Sequence, residues 1–242
     1  MDNKTMNTAA PIAAEATDTP AATRASATWV GPMDTLRALL THAGERDVRF
    51  YLNGVCLDTT GQEPVMVATD GCRMLVVRVP RLVSTLPRGC YVIPRVILES
   101  IKPARGGRGE GWLPVTLTVD AATETDTARA TLTGTTTASA PLVDGRFPDW
   151  RRVVPSKLTG KPAQYNGDYL ADLTTAARLL AGAKRTDTAC FPVIAHNGDS
   201  TDRMGAALVS FPSTPDAFAV LVPMRTDPVP TVAPHWAGCW TA

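Results

Sequence analysis

Val65-Met66-Val67-Ala68-Thr69-Asp70-Gly71-Cys72-Arg73-Met74-Leu75 reads as two extended runs joined by a tight turn. Asp-Gly between apolar runs is a short-range hairpin signal, because glycine takes the positive φ of such turns without steric cost. The strands expected on either side are Val65 to Thr69 and Cys72 to Val79. Without a side chain at Gly71 another group can approach the turn closely, and Arg73 and Met74 leave the second strand on opposite faces. Upstream, Val48-Arg49-Phe50-Tyr51-Leu52 and Val55-Cys56-Leu57-Asp58-Thr59 flank Asn53-Gly54, which predicts a second hairpin with a two-residue turn. Before it, Met33, Leu36, Leu39, Leu40 and Ala43 form an apolar stripe at helical spacing, with Pro32 suited to the first helical position and Gly44 to the stop.

The same order, a helix and then short strands, returns twice. Cys90-Tyr91-Val92-Ile93 leads through Pro94 into a helix carrying Val96, Ile97, Leu98 and Ile101, followed by strands at 115–119, 130–133 and 138–143. Their alternation of apolar residues with threonine fits a sheet wet on one face. In the third unit Asn166 is a plausible cap, Leu170, Leu173, Ala177 and Leu180 make the stripe, and Gly182 is the stop. Strands are expected around 191–195, 204–211 and 217–223. The class is therefore α+β, built from repeated helix-plus-antiparallel-strand units.

Composition narrows the function classes. A chain of 242 residues, 44% hydrophobic and 19% charged, has enough apolar material for one large or two small cores. No apolar run approaches the ~20 residues of a membrane span, and the N-terminus lacks the order of a secretory signal, so the expected address is the cytoplasm, away from any membrane. The five cysteines are odd in number and widely spaced, which argues against a disulfide framework or structural zinc and for reduced, mostly buried thiols. A net charge of +1 encodes no global attraction to nucleic acid, so DNA contact must come from local patches. Residues 1–27, rich in Ala, Thr and Pro, read as a disordered arm. Residues 227–242 read as an extended tail bearing Trp236 and Trp240.

Four segments in order, Asp47-to-Gly54, Ala68-Thr69-Asp70-Gly71-x-Arg73, Val92-Ile93-Pro94-Arg95 and Leu142-to-Pro155, resemble the middle domain of bacterial sliding clamps, the beta subunits of DNA polymerase III. Tyr165-Asn166-x-x-Tyr169-Leu170 and Val222-Pro223-Met224-Arg225 resemble the second half of that family's last domain. The resemblance implies the DNA clamp (processivity) fold, with residues 28–155 like the middle domain and 156–226 like part of the C-terminal one. It departs from the family in having no counterpart of the first domain or of the first half of the last. The usual dimeric ring is therefore not implied; closure with another stoichiometry and an open form both fit.

What the resemblance implies for a site is a hydrophobic peptide-docking pocket of Thr69, Gly71, Cys72, Arg73, Met74, Pro155, Val222, Pro223, Met224 and Arg225. Methionine is a flexible, polarizable lining suited to varied apolar peptides. Taken alone, without the resemblance, Met74, Val222 and Met224 read more readily as core than as a pocket. Cys72 stands where the family usually has histidine. For DNA, strand alternation would bury Val48, Phe50 and Leu52 and leave Arg49 and Tyr51 outside beside Arg46. Arginine for phosphate and tyrosine for sugar or base is a sequence-independent combination, and the family touches DNA here, although a merely solvated face fits equally. Lys102, Arg105 and Arg108 make a basic loop without the features of a phosphate cradle. Arg146, Arg151 and Arg152 are expected to pair with Asp144 and Asp149, with Phe147 and Trp150 as apolar anchors.

No catalytic set is visible. His42, His196 and His235 have no neighbouring nucleophile or metal motif, and Asp70 is accounted for as a turn residue. No metal, cofactor or enzymatic activity is implied. The reading is a clamp-like processivity factor that binds double-stranded DNA without sequence preference and docks a polymerase and other clamp-motif proteins. A clamp loader and a homo-oligomer are further partners it allows. The alternative is a non-encircling adaptor or competitor that keeps only the pocket.

Overall fold

The computed structural model describes residues 24–100, 114–158, 163–183, 190–195 and 205–224. The first unit comprises β1 (Ser26–Pro32), α1 (Met33–Leu40), β2 (Gly54–Asp58), β3 (Val65–Thr69), β4 (Arg73–Arg78) and the short β5 (Val83–Ser84). The second has β6 (Cys90–Pro94), α2 (Arg95–Ser100), β7 (Pro114–Asp120), β8 (Arg129–Thr133) and β9 (Thr137–Pro141). The third has α3 (Gly167–Ala181), β10 (Val193–Ala195), β11 (Ala207–Ser210) and β12 (Ala217–Leu221).

The units interleave instead of standing apart. One sheet runs β5-β1-β7-β8-β9 and the other β10-β11-β12-β4-β3-β2-β6, with every pairing antiparallel. The third unit adds its strands to the first by laying β12 against β4, and α3 packs on α1. Leu36, Leu39, Leu57, Met66, Leu75, Ile93, Leu117, Leu132, Leu173 and Leu221 are closed to solvent between helices and sheets. Fully burying one such side chain is worth about 1.5–3 kcal/mol, which is why the repeated apolar stripes fix the layers. α3 starts and stops where expected: the Asn166 side chain accepts from the Asp168 N–H, and Gly182 closes the helix at φ 62°.

Several expectations are corrected. Asn53-Gly54 is not a hairpin turn. Residues Phe50–Leu52 form a 3-10 turn, the Asn53 side chain exchanges hydrogen bonds with the Asp47 backbone, and Gly54 opens β2. A Cβ at 54 would lie 2.3 Å from the Ile93 carbonyl oxygen, so this glycine serves close approach of β2 to β6. Val48 and Phe50 are accordingly exposed, and only Leu52 turns inward. Ser26 and Ala27, placed in the arm by composition, pair with β7, while Pro32 ends β1 just before α1. The thiols of Cys72 and Cys90 are exposed, against the expectation of mostly buried cysteines; Cys56 and Cys190 are buried. Among the described residues no helix is long and apolar enough to cross a membrane.

Candidate functional site

The β3–β4 turn is shifted by one residue from its sequence reading. Thr69 pairs with Met74, and the central residues are Gly71-Cys72, with Gly71 at φ 92°. Positive φ at the first central position alone is what a type II′ turn needs. Asp70 organises the turn: its Oδ1 accepts from the N–H groups of Cys72 (2.8 Å) and Arg73 (3.0 Å). Thr69 Oγ1 accepts from Gly71 N and donates to the Arg73 carbonyl.

Arg73 and Met74 do part to opposite faces. Arg73 runs toward the helices, pairs with Asp70 and Asp172, and lies 4.4 Å from the Tyr169 ring centroid. Beside it His42 is fully buried, held neutral with a pKa pushed down to about 3 by burial and then by the Arg73 charge. Met74 enters a second, smaller cluster with Leu52, Val76, Phe147, Trp150 and Val220.

That cluster floors an open pocket of about 230 Å³. Thr69, Gly71, Cys72, Arg73, Met74 and Val222 line it, as does a set that sequence reasoning left out: Leu52, Pro148, Asp149, Trp150, Val153 and Val220. Val222 is fixed there because its N–H donates to the Cys72 carbonyl at 2.9 Å, continuing the β4–β12 ladder past the end of β12. Pro155, Pro223 and Met224 are not part of the lining. Met224 is instead tied to the segment before α3, through its N–H to the Gln164 carbonyl. Arg225 lies outside the described residues.

The linker that follows β9, residues 142–155, brings Trp150 to the pocket, and a buried carboxylate holds it. Asp58 Oδ2 accepts from Trp150 Nε1 at 2.8 Å and from Arg151 Nη1 at 2.6 Å, while its Oδ1 accepts from the backbone and hydroxyl of Thr60. Burial pushes this carboxyl up, but the hydrogen bonds from Thr60, Trp150 and Arg151 outweigh it and hold it below the usual carboxylate range. Arg151 thus pairs with Asp58 on β2 and lies over the Trp150 ring, in place of the expected Asp144 or Asp149. Phe147 and Trp150 are the buried anchors foreseen.

Arg49 and Tyr51, singled out for DNA, also line this pocket. Arg49 grips Asp47 with two nitrogens and donates to the Asp70 carbonyl, so its guanidinium lies against Gly71, where a Cβ would come within 2.7 Å. The same contact holds the Asp47 carboxyl down at about 2. Arg46 is exposed at φ 55° on the adjoining turn. Lys102, Arg105, Arg108, His196 and His235 lie outside the described residues.

Residues 34–149, which carry the turn, the start of the linker and most of the pocket lining, match the central domain of the DNA polymerase III beta subunit. Over this stretch the chain is similar to the bacterial sliding clamps. The beta sliding clamp of Salmonella typhimurium is 33% identical over 158 residues, covering 63% of this chain and 40% of that one. That of Pseudomonas aeruginosa is 36% identical over 112 residues, covering 46% and 28%. A crystal structure of the Pseudomonas aeruginosa sliding clamp with ligand aligns at TM-score 0.48 and 18% identity, over 82% of this chain and 66% of that one. The chain spans about two fifths of the length of the curated relatives it matches over the longer stretch.

Proposed function

We propose that the chain is a clamp-like accessory factor of DNA replication, without a catalytic site of its own, whose pocket docks an extended apolar peptide segment of a polymerase or another partner. The observation that carries this reading is the pocket itself, built jointly by the β3–β4 turn, the linker and the strand end at Val222. Its volume is below the ~300–1,000 Å³ of small-molecule sites, which suits one or two apolar side chains better than a cofactor. Its floor is Leu52, Met74, Trp150 and Val220, and Arg49 sits at the rim for a peptide carboxylate or carbonyl. Arg46, Arg49 and Tyr51, on one exposed loop, are the proposed contacts to duplex DNA. Such contacts are sequence-independent and weaken steeply with salt.

Fluorescence polarisation with a labelled Gln-Leu-x-Leu-Phe peptide tests the pocket. Val222→Glu, at a half-exposed rim position, is expected to reduce affinity at least tenfold without unfolding the chain; unchanged affinity refutes the assignment. A second reading is a non-encircling adaptor or competitor that keeps only the pocket. Retention on circular primed DNA with loss on linearisation supports a clamp, whereas peptide binding without retention supports the adaptor.

A further inference from the structure

The register of β2 against β6 brings two cysteines together. Asp58 lies opposite Cys90, and Cys56 lies opposite Val92. Side chains two residues apart on a strand share a face, so Cys56, Asp58 and Cys90 all stand on the side of the smaller apolar cluster, to which Cys56, Val92 and Trp150 belong. Thr59 N donates to the Gly89 carbonyl. Asp58–Cys90 and Cys56–Val92 are therefore the narrow pairs of this ladder, with Cα atoms about 4.5 Å apart and side chains close. Cys56 and Cys90 are diagonal neighbours across them, within reach of one another. The Cys56 thiol donates a hydrogen bond to the Cys90 sulfur.

The two thiols are unlike. Cys56 is closed to solvent, and its hydrogen bond to Cys90, followed by burial, pushes its pKa well up. Cys90 is exposed and lines an open pocket of about 330 Å³ together with Asp58, Thr60 and Arg151. The hydrogen bond from Cys56 holds the Cys90 thiol below its ordinary pKa, helped by the Arg151 charge and opposed by burial and the Asp58 and Asp149 carboxylates. An accessible sulfur that favours the thiolate, with a protonated thiol in contact behind it, is the arrangement that oxidation followed by internal resolution requires. Neither cysteine lines the peptide pocket.

We propose that Cys90 is a site of attack on hydroperoxides and Cys56 its resolving partner, the two closing a disulfide between β2 and β6. The Cys90 thiolate attacks one oxygen of the hydroperoxide, breaks the O–O bond and becomes a sulfenic acid, while the other oxygen leaves as hydroxide or alkoxide. The Cys56 sulfur then attacks the Cys90 sulfur. The new S–S bond expels hydroxide, which takes up the Cys56 proton and departs as water. The two thiols are oxidised by two electrons and the peroxide is reduced by the same two. This chemistry is separate from peptide docking, and its test uses no peptide.

Treatment of the reduced full chain with hydrogen peroxide at neutral pH, followed by alkylation of the remaining thiols and non-reducing peptide mapping by mass spectrometry, tests it. The expected result is a cross-link between the peptides carrying Cys56 and Cys90 within one chain. The Cys90 thiol is expected to be consumed about tenfold faster than that of Cys72, which is also exposed. Cys56→Ser is expected to stop Cys90 at the sulfenic acid, trapped as its dimedone adduct. Should Cys56→Ser fold poorly, Cys90→Ser, at the exposed position, is expected to leave Cys56 reduced under the same treatment. Three outcomes overturn the proposal: oxidation of Cys90 no faster than that of Cys72, conversion of Cys90 to the sulfinic acid with Cys56 still reduced, or linkage of Cys90 to any sulfur other than that of Cys56 in its own chain.

Discussion

Trp150 Nε1 donates to Asp58 Oδ2 at 2.8 Å, joining the linker to a strand far away in sequence and setting one wall of the pocket. Asp58 is closed to solvent and also bears Arg151 and Thr60, so removing it strands several donors at once. An unpaired buried donor costs about 1–3 kcal/mol. Asp58→Ala is therefore expected to lower unfolding stability by about 2 kcal/mol or more in urea titration, and to weaken peptide binding by freeing Trp150. Arg151→Ala, with half of its side chain in water, is expected to cost less.

Acid is expected to act through the same carboxylate. Its folded pKa lies below the unfolded value, so the stability it contributes is present above the unfolded pKa and is lost as pH falls through the folded one. His42 acts in a higher window. It is neutral in the fold down to about pH 3 and protonates in the unfolded chain near its ordinary 6.5, so stability falls between those values as pH is lowered. The slope for one such group is about 1.4 kcal/mol per pH unit. Urea midpoints between pH 7 and 4 check this, and His42→Gln is expected to flatten the slope.

At the turn, Gly71→Ala combines an unfavourable φ of 92° with a Cβ against the Arg49 guanidinium. A stability loss of about 1–2 kcal/mol is expected, with weaker peptide binding because Arg49 must move. Thermal melting and polarisation read the two effects separately.

The exposed thiol of Cys72 lies on the pocket lining. Alkylation with a bulky maleimide is expected to block the peptide, and bound peptide to slow modification at Cys72 but not at exposed Cys90. Peptide mapping by mass spectrometry distinguishes the two sites.

Much of the fold was legible because it rests on local patterns. The stripe of α3, its Asn166 cap and the Gly182 stop need only neighbouring residues, and each is where the sequence puts it. β1 was hidden because its pairing with β7 is non-local, although Ala27 and Trp29, buried in alternation, carried a readable signal. Asn53-Gly54 misled because a glycine chosen for close strand approach looks in sequence like one chosen for a turn.

The site divides along the same line. Sequence alone determined the turn residues Thr69 to Met74 and the distant Val222, because hairpin chemistry and a recognisable family pattern are written in consecutive residues. Only the tertiary structure decided that Trp150, Val153 and Val220 line the pocket, that the Met224 N–H bonds to the Gln164 carbonyl, and that Arg49 joins the lining. Those placements depend on a buried carboxylate choosing its donors and on one strand register choosing its face. Both are settled by packing between segments remote in the chain.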